Sequence, residues 1–115
     1  MAAQGHRSSS VPAGVRVAIA KNFDGDAQLY QAFADSCATQ FAQDVLIGEA
    51  SCDVGDLPAL CRLAHNLKSA LTMLGHEDLC NLAAGLEAQS AAGDLPSAQA
   101  SWRVLRAALP SLVSP

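Results

Sequence analysis

The tetrad Gly-Asp-Leu-Pro occurs twice in this chain of 115 residues, at 55–58 and again at 93–96. Each copy marks a helix start. The Gly ends what precedes it, the Asp side chain can take orphan N–H groups, and a Pro in the first helical turn forfeits no intrahelical hydrogen bond. The residues that follow the two copies differ, so the tetrad is recurring punctuation and not a structural repeat. A chain cut in this way has to pack helices of moderate length against one another.

Between the punctuation marks the apolar residues recur at three and four, the helical period. Asp24-Gly25-Asp26 provides a turn and a cap, and after it Leu29, Phe33, Cys37, Phe41, Val45 and Leu46 form a stripe that is expected to end at Gly48. Gly75 divides the next periodic stretch into helices over 56–74 and 76–92, the second lined by Leu79, Leu82, Ala83 and Leu86. Leu95, Ala98, Trp102, Leu105 and Leu109 continue the pattern until Pro110. VRVAIAKNF, at 15–23, predicts a short leading helix, and residues 1–13, rich in Ser and Gly, predict a flexible tail. Hydrophobic residues make up half the chain but fall mostly on Ala and Leu, and no convincing alternating β-branched run is present, so a sheet is not expected. The expected fold is all-α: an antiparallel up-and-down four-helix bundle over 14–115, with short connections reversing the chain at each step.

Arg7, Arg16 and Lys21 precede the first acid, which leaves four basic against eleven acidic residues from position 24 onward, a net of −7. Such a body is not a nucleic-acid surface, which needs clustered Lys and Arg. The start of the chain lacks the apolar stretch of a secretory signal and no run is long enough for a bilayer, so a cytoplasmic protein is expected. Cys37, Cys52, Cys61 and Cys80 contain no close CxxC pair and are read as free thiols.

Within RLAHNLKSALTMLG, residues 62–75, a rotation of about 100° per residue puts Leu60, Leu63, Leu67, Ala70 and Leu74 on the face opposite His65. His65 shares its own face with Lys68, Ser69 and Thr72 ahead of it and with Cys61 and Arg62 behind it. The string His65-Asn66-Leu67-Lys68-Ser69-Ala70, with Leu74-Gly75 after it, resembles the signature of histidine-containing phosphotransfer (HPt) domains, H-x-L-K-G followed by small residues and a Gly ten positions after the His. Phe23-Asp24-Gly25-Asp26 resembles the Phe and Asp that precede the family's first long helix, and residues 23–109 follow its layout. Two positions depart from the pattern: Ser69 stands where Gly is commonest, and Leu71 where Ala or Ser is usual, flanking the histidine's face.

The resemblance implies that His65 accepts a phosphoryl group from a receiver-domain aspartyl phosphate and relays it to a response-regulator receiver. An exposed imidazole, mostly neutral at pH 7, is already nucleophilic. Lys68 is the expected phosphate-stabilising residue, with Arg62, Ser69, Thr72 and Leu71 as supporting or docking residues. No phosphate-cradling Gly-rich loop is present, so no kinase activity of its own is expected. No cofactor of its own is expected, and Mg²⁺ is expected from the receiver partner. The expected partners are response-regulator receiver domains and a hybrid histidine kinase, with no nucleic acid and no membrane, and the chain is expected to be a monomer. Three other readings compete. A helical adaptor would make His65 incidental, and Cys61-x3-His65 with His76-x3-Cys80 would make a zinc-binding bundle. The third is a segment of a hybrid sensor kinase; the initiating Met and the lack of an adjoining catalytic segment favour a standalone protein.

Overall fold

The computed structural model describes residues 12–112. These fold into helices α1 (Ala13–Asn22), α2 (Ala27–Val54), α3 (Leu57–Leu74), α4 (Glu77–Ala91) and α5 (Leu95–Ala108), followed by a 3-10 turn at Leu109–Leu112, with no strand among the described residues. Three starts are capped as the punctuation requires. Asp26, Asp56 and Asp94 accept the backbone N–H of Leu29, Ala59 and Ser97 at 3.0, 3.1 and 3.2 Å. Each cap satisfies a donor that the first turn leaves orphaned, and such caps contribute about 1 kcal/mol. The expected tail over 1–13 lies outside the described residues, apart from Pro12 and Ala13, which begins α1.

The first long helix differs from its sequence reading. It passes straight through Gly48 and ends at Val54, and Leu29 and Leu46, expected in its apolar stripe, are exposed. A strict spacing of four advances about 40° per step, so a stripe drawn from Leu29 to Val45 winds nearly half-way around the helix. The buried face is instead Tyr30, Ala34, Cys37, Phe41, Asp44, Gly48 and Ser51. Gly48 is there for close packing and not to end the helix: the indole of Trp102 in α5 comes so near that a Cβ would collide with Cζ2 and Cη2. Trp102 is itself buried and donates through Nε1 to Glu49 at 2.9 Å.

One core runs through all the helices. Leu60, Leu67, Leu71 and Leu74 of α3 are fully buried with Leu86 of α4 and Leu105 of α5, each contributing about 1.5–3 kcal/mol in transfer from water. Residues late in α3 meet residues early in α4 and the reverse, as in the contacts Thr72–Cys80 and His65–Glu87, so these two helices run in opposite directions. The turn between them is pinned from outside. Gly75 has φ +85°, and α1 presses Gly14 and Ala18 against it so closely that any side chain there would collide with both. Tyr30 donates its hydroxyl to the Leu74 carbonyl at 2.7 Å, and Asn22 donates its side-chain amide to the Met73 carbonyl at 3.2 Å. The end of α3 is therefore held by α1 and α2 together, which fixes the register of the whole helix that carries His65.

Candidate functional site

His65 stands near the middle of α3 on the face turned away from the leucine core, with its side chain 62% exposed. The ring is not free to rotate in solvent. Its Nδ1 lies 3.1 Å from Oε2 of Glu87 on α4, while Oε1 of the same carboxylate accepts from Lys68 Nζ at 2.7 Å. One carboxylate thus spans the α3–α4 groove and holds both side chains that the sequence singled out.

The protonation state follows from this pairing. The hydrogen bond from Lys68, then that from His65, holds the Glu87 carboxyl below the usual carboxylate range, and the hydrogen bond to Glu87 lifts the Lys68 ammonium above its ordinary value. Around neutrality Glu87 is an anion and can only accept hydrogen bonds. Facing that acceptor, Nδ1 is the ring nitrogen placed to donate, and in that tautomer of the imidazole the lone pair is on Nε2. A basic nitrogen presented to solvent beside an ammonium group is an arrangement for attacking an anionic electrophile such as a phosphoryl group.

The supporting residues divide. Thr72 donates its hydroxyl to the Lys68 carbonyl at 2.8 Å, and Ser69 donates to the His65 carbonyl at 3.4 Å, so both hydroxyl protons are engaged on the helix backbone. Arg62 is exposed one turn before His65 and forms no ion pair among the described residues. Leu71 requires a correction: it is fully buried, with 0% exposure, and flanks the core, so it has no surface to offer a docking partner. Its position six residues after His65 turns it about 120° from the histidine's face, into the α3–α4 seam.

Glu87 was missed in the sequence because it lies on a different helix, but a signal for it existed. His65 and Glu87 lie eleven residues on either side of His76, in the turn, and Thr72 and Cys80 lie four on either side. A hairpin folded at that turn brings each pair to one level. The same symmetry separates the alternative zinc ligands. Cys80 is level with Thr72, eleven residues and about 16 Å along α3 from Cys61, whose thiol reaches the Glu87 carbonyl instead at 3.7 Å. Among the described residues no group of three or more His, Cys, Asp or Glu is gathered to hold a metal ion, and no described helix is long and apolar enough to cross a membrane.

A family model described as the Hpt domain matches residues 27–114, a span that takes in α2 to α5 and every residue of the site. No curated protein and no solved structure gives a significant match to the chain.

Proposed function

This chain belongs to the Hpt domain family, and from that premise we propose that His65 is the phosphoryl acceptor of a two-component phosphorelay. Hpt domains carry phosphoryl groups in such relays. The single observation that supports the assignment to His65 is its pairing: Nδ1 held by an ionised Glu87 with Lys68 on the same carboxylate, on a side chain that is otherwise largely exposed.

In the proposed step the Nε2 lone pair attacks the phosphorus of a receiver's aspartyl phosphate. The P–O bond to the aspartate breaks, its electrons leave with the carboxylate, and an N–P bond forms on His65. Little covalent work falls to the bundle, since phosphoryl transfer depends on positioning and charge compensation. Lys68, one turn on from His65 and bonded to the same carboxylate, is assigned the positive charge that compensates a phosphoryl group on Nε2. Among the described residues Glu87 is the carboxylate that contacts His65, and it is already paired with Lys68, so in this reading the Mg²⁺ and acidic pocket are assigned to the receiver. Arg62, Ser69 and Thr72 ring the nucleophile and form the rim of the docking surface. The chain acts in this reading as a carrier without kinase activity, a cytoplasmic monomer that meets response-regulator receivers and a hybrid histidine kinase in turn. The antiparallel four-helix arrangement is part of the same proposal, supported by the opposed contacts of α3 with α4 and of Trp102 and Gln99 with Glu49 and Cys52.

The test is transfer of labelled phosphate from a panel of purified phospho-receivers, with His65→Gln alongside. Label on the wild type in an acid-labile, base-stable form, and none on His65→Gln, is the expected result. Equal labelling of both proteins would transfer the role to another residue.

A further inference from the structure

We infer that Arg62 is a second cation of the site: its guanidinium takes the phosphoryl group on Nε2 of His65 from the flank of α3 opposite to Lys68, with the Ser69 hydroxyl donating from the same flank. This rests on the reading of His65 as phosphoryl acceptor and gives a chemical role to two residues that lie on the far side of the histidine from α4.

The face around His65 has two flanks. At about 100° per residue, Thr72, Cys61 and Lys68 lie about 20°, 40° and 60° to one side of the histidine, and Ser69 and Arg62 lie about 40° and 60° to the other. The first flank is the one turned to α4. Lys68 bonds Glu87 at 2.7 Å, Thr72 meets Cys80 at 3.0 Å, and the Cys61 thiol reaches the Glu87 carbonyl at 3.7 Å. The His65 ring leans the same way through Nδ1, 3.1 Å from Glu87. The two nitrogens of an imidazole point in nearly opposite directions, so Nε2 is directed away from α4, to the flank of Arg62 and Ser69.

Both side chains on that flank can respond to a phosphoryl group. Arg62 is exposed and forms no ion pair among the described residues, whereas Lys68 starts from its bond to Glu87 and turns to phosphate only by loosening it. Residues three apart on a helix have Cβ atoms about 5–6 Å apart, a gap that a phosphoryl group on His65 and the long arm of an arginine bridge together. The guanidinium is permanently charged, and its planar fork pairs with two phosphate oxygens at once. Ser69 is exposed as well, and its hydroxyl bond to the His65 carbonyl is long, 3.4 Å against the 2.8 Å that Thr72 makes on the other flank. The Ser69 proton is therefore the more easily re-aimed at a phosphoryl oxygen. Phosphate is received between two cations, one already on Glu87 and one drawn in by the phosphoryl group itself.

The experiment loads the full chain with phosphoramidate, whose P–N electron pair leaves on ammonia as the Nε2 lone pair forms the new N–P bond, so no receiver is present. The ³¹P resonance absent from His65→Gln is followed with time in the wild type, Arg62→Gln, Arg62→Lys and Ser69→Ala, with helicity checked by circular dichroism. Arg62→Gln is expected to load about fivefold more slowly, as the loss of one exposed charge-assisted pair gives, with Arg62→Lys between it and the wild type. Ser69→Ala is expected to load about twofold more slowly. The gap between wild type and Arg62→Gln should close as salt is raised to about 1 M, which a merely structural effect would not do. Wild-type loading by Arg62→Gln overturns the inference while leaving His65 as acceptor. So does a defect of Arg62→Gln seen only with phospho-receivers, which would make Arg62 a contact to the partner protein. Failure of folded wild type to give a His65 resonance at all overturns the acceptor reading, and the inference with it.

Discussion

Alanine at Gly48 and at Gly85 is the same chemical change at two helical glycines, yet the structure predicts opposite signs. In an open helical position the change gains about 0.5–1 kcal/mol, because glycine has more backbone freedom to lose on folding. Gly85 is such a position, with nothing within 4 Å of an added Cβ. At Gly48 the Cβ would enter the indole of Trp102, which is buried and tethered by its Nε1 hydrogen bond to Glu49. Overpacking of this kind costs about 1–3 kcal/mol, and a ring that cannot swing aside places the cost at the upper end. Set against the propensity gain, Gly48→Ala should lose about 2 kcal/mol. In urea, with a slope of about 1–2 kcal/mol/M for a domain of this size, the midpoint should fall by about 1 M or more for Gly48→Ala and rise by about 0.5 M for Gly85→Ala. Circular dichroism at 222 nm is the assay, since the protein's one tryptophan sits at the site of the change. A Gly48→Ala protein at least as stable as the wild type would refute the close packing of α2 on α5.

Asp44 is buried in α2, and loss of hydration raises its carboxyl above the usual range against the opposing hydrogen bond from Gln40. A folded-state pKa raised above the unfolded one favours the folded state at low pH, an advantage lost as pH rises from about 4 through the raised value. Asp44→Asn should therefore stabilise the protein at pH 7 and flatten the pH dependence of its urea midpoint between pH 4 and 7. Leu71→Ala should cost about 2–5 kcal/mol of stability, as a fully buried leucine does, and leave the order of preference among phospho-receivers unchanged; a changed order with unchanged stability would restore Leu71 to the docking surface. Tyr30→Phe, which removes the hydroxyl that donates to the Leu74 carbonyl, should lower stability by about 1–2 kcal/mol in a thermal melt.

Helix boundaries were legible wherever the sequence spends a residue on a cap: Asp26, Asp56, Asp94 and Gly75 all stand at helix ends. Gly48 misled because a glycine inside a helix and a glycine ending one are the same letter, and only the facing tryptophan, over fifty residues away, distinguishes them. The buried face of α2 was misjudged for a related reason. It contains Asp44 and Ser51, which hydropathy assigns to solvent, and excludes Leu29 and Leu46. On α3 the pattern is cleaner, and the outward placement of His65 and Lys68 followed from angle alone. Glu87 was not legible from α3, since a charge on one helix says nothing about another until the register of the hairpin is fixed. Once His76, in the turn, is taken as the fold axis, the level of Glu87 with His65 follows by counting.

The most direct test of the account is to locate the phosphoryl group at atomic level after transfer from a phospho-receiver that labels the chain. ¹⁵N-labelled protein examined for ³¹P–¹⁵N coupling should show the phosphorus on Nε2 of His65, with Nδ1 still bonded to hydrogen. Coupling at Nδ1, or a phosphoryl group on His6 or His76, would contradict it.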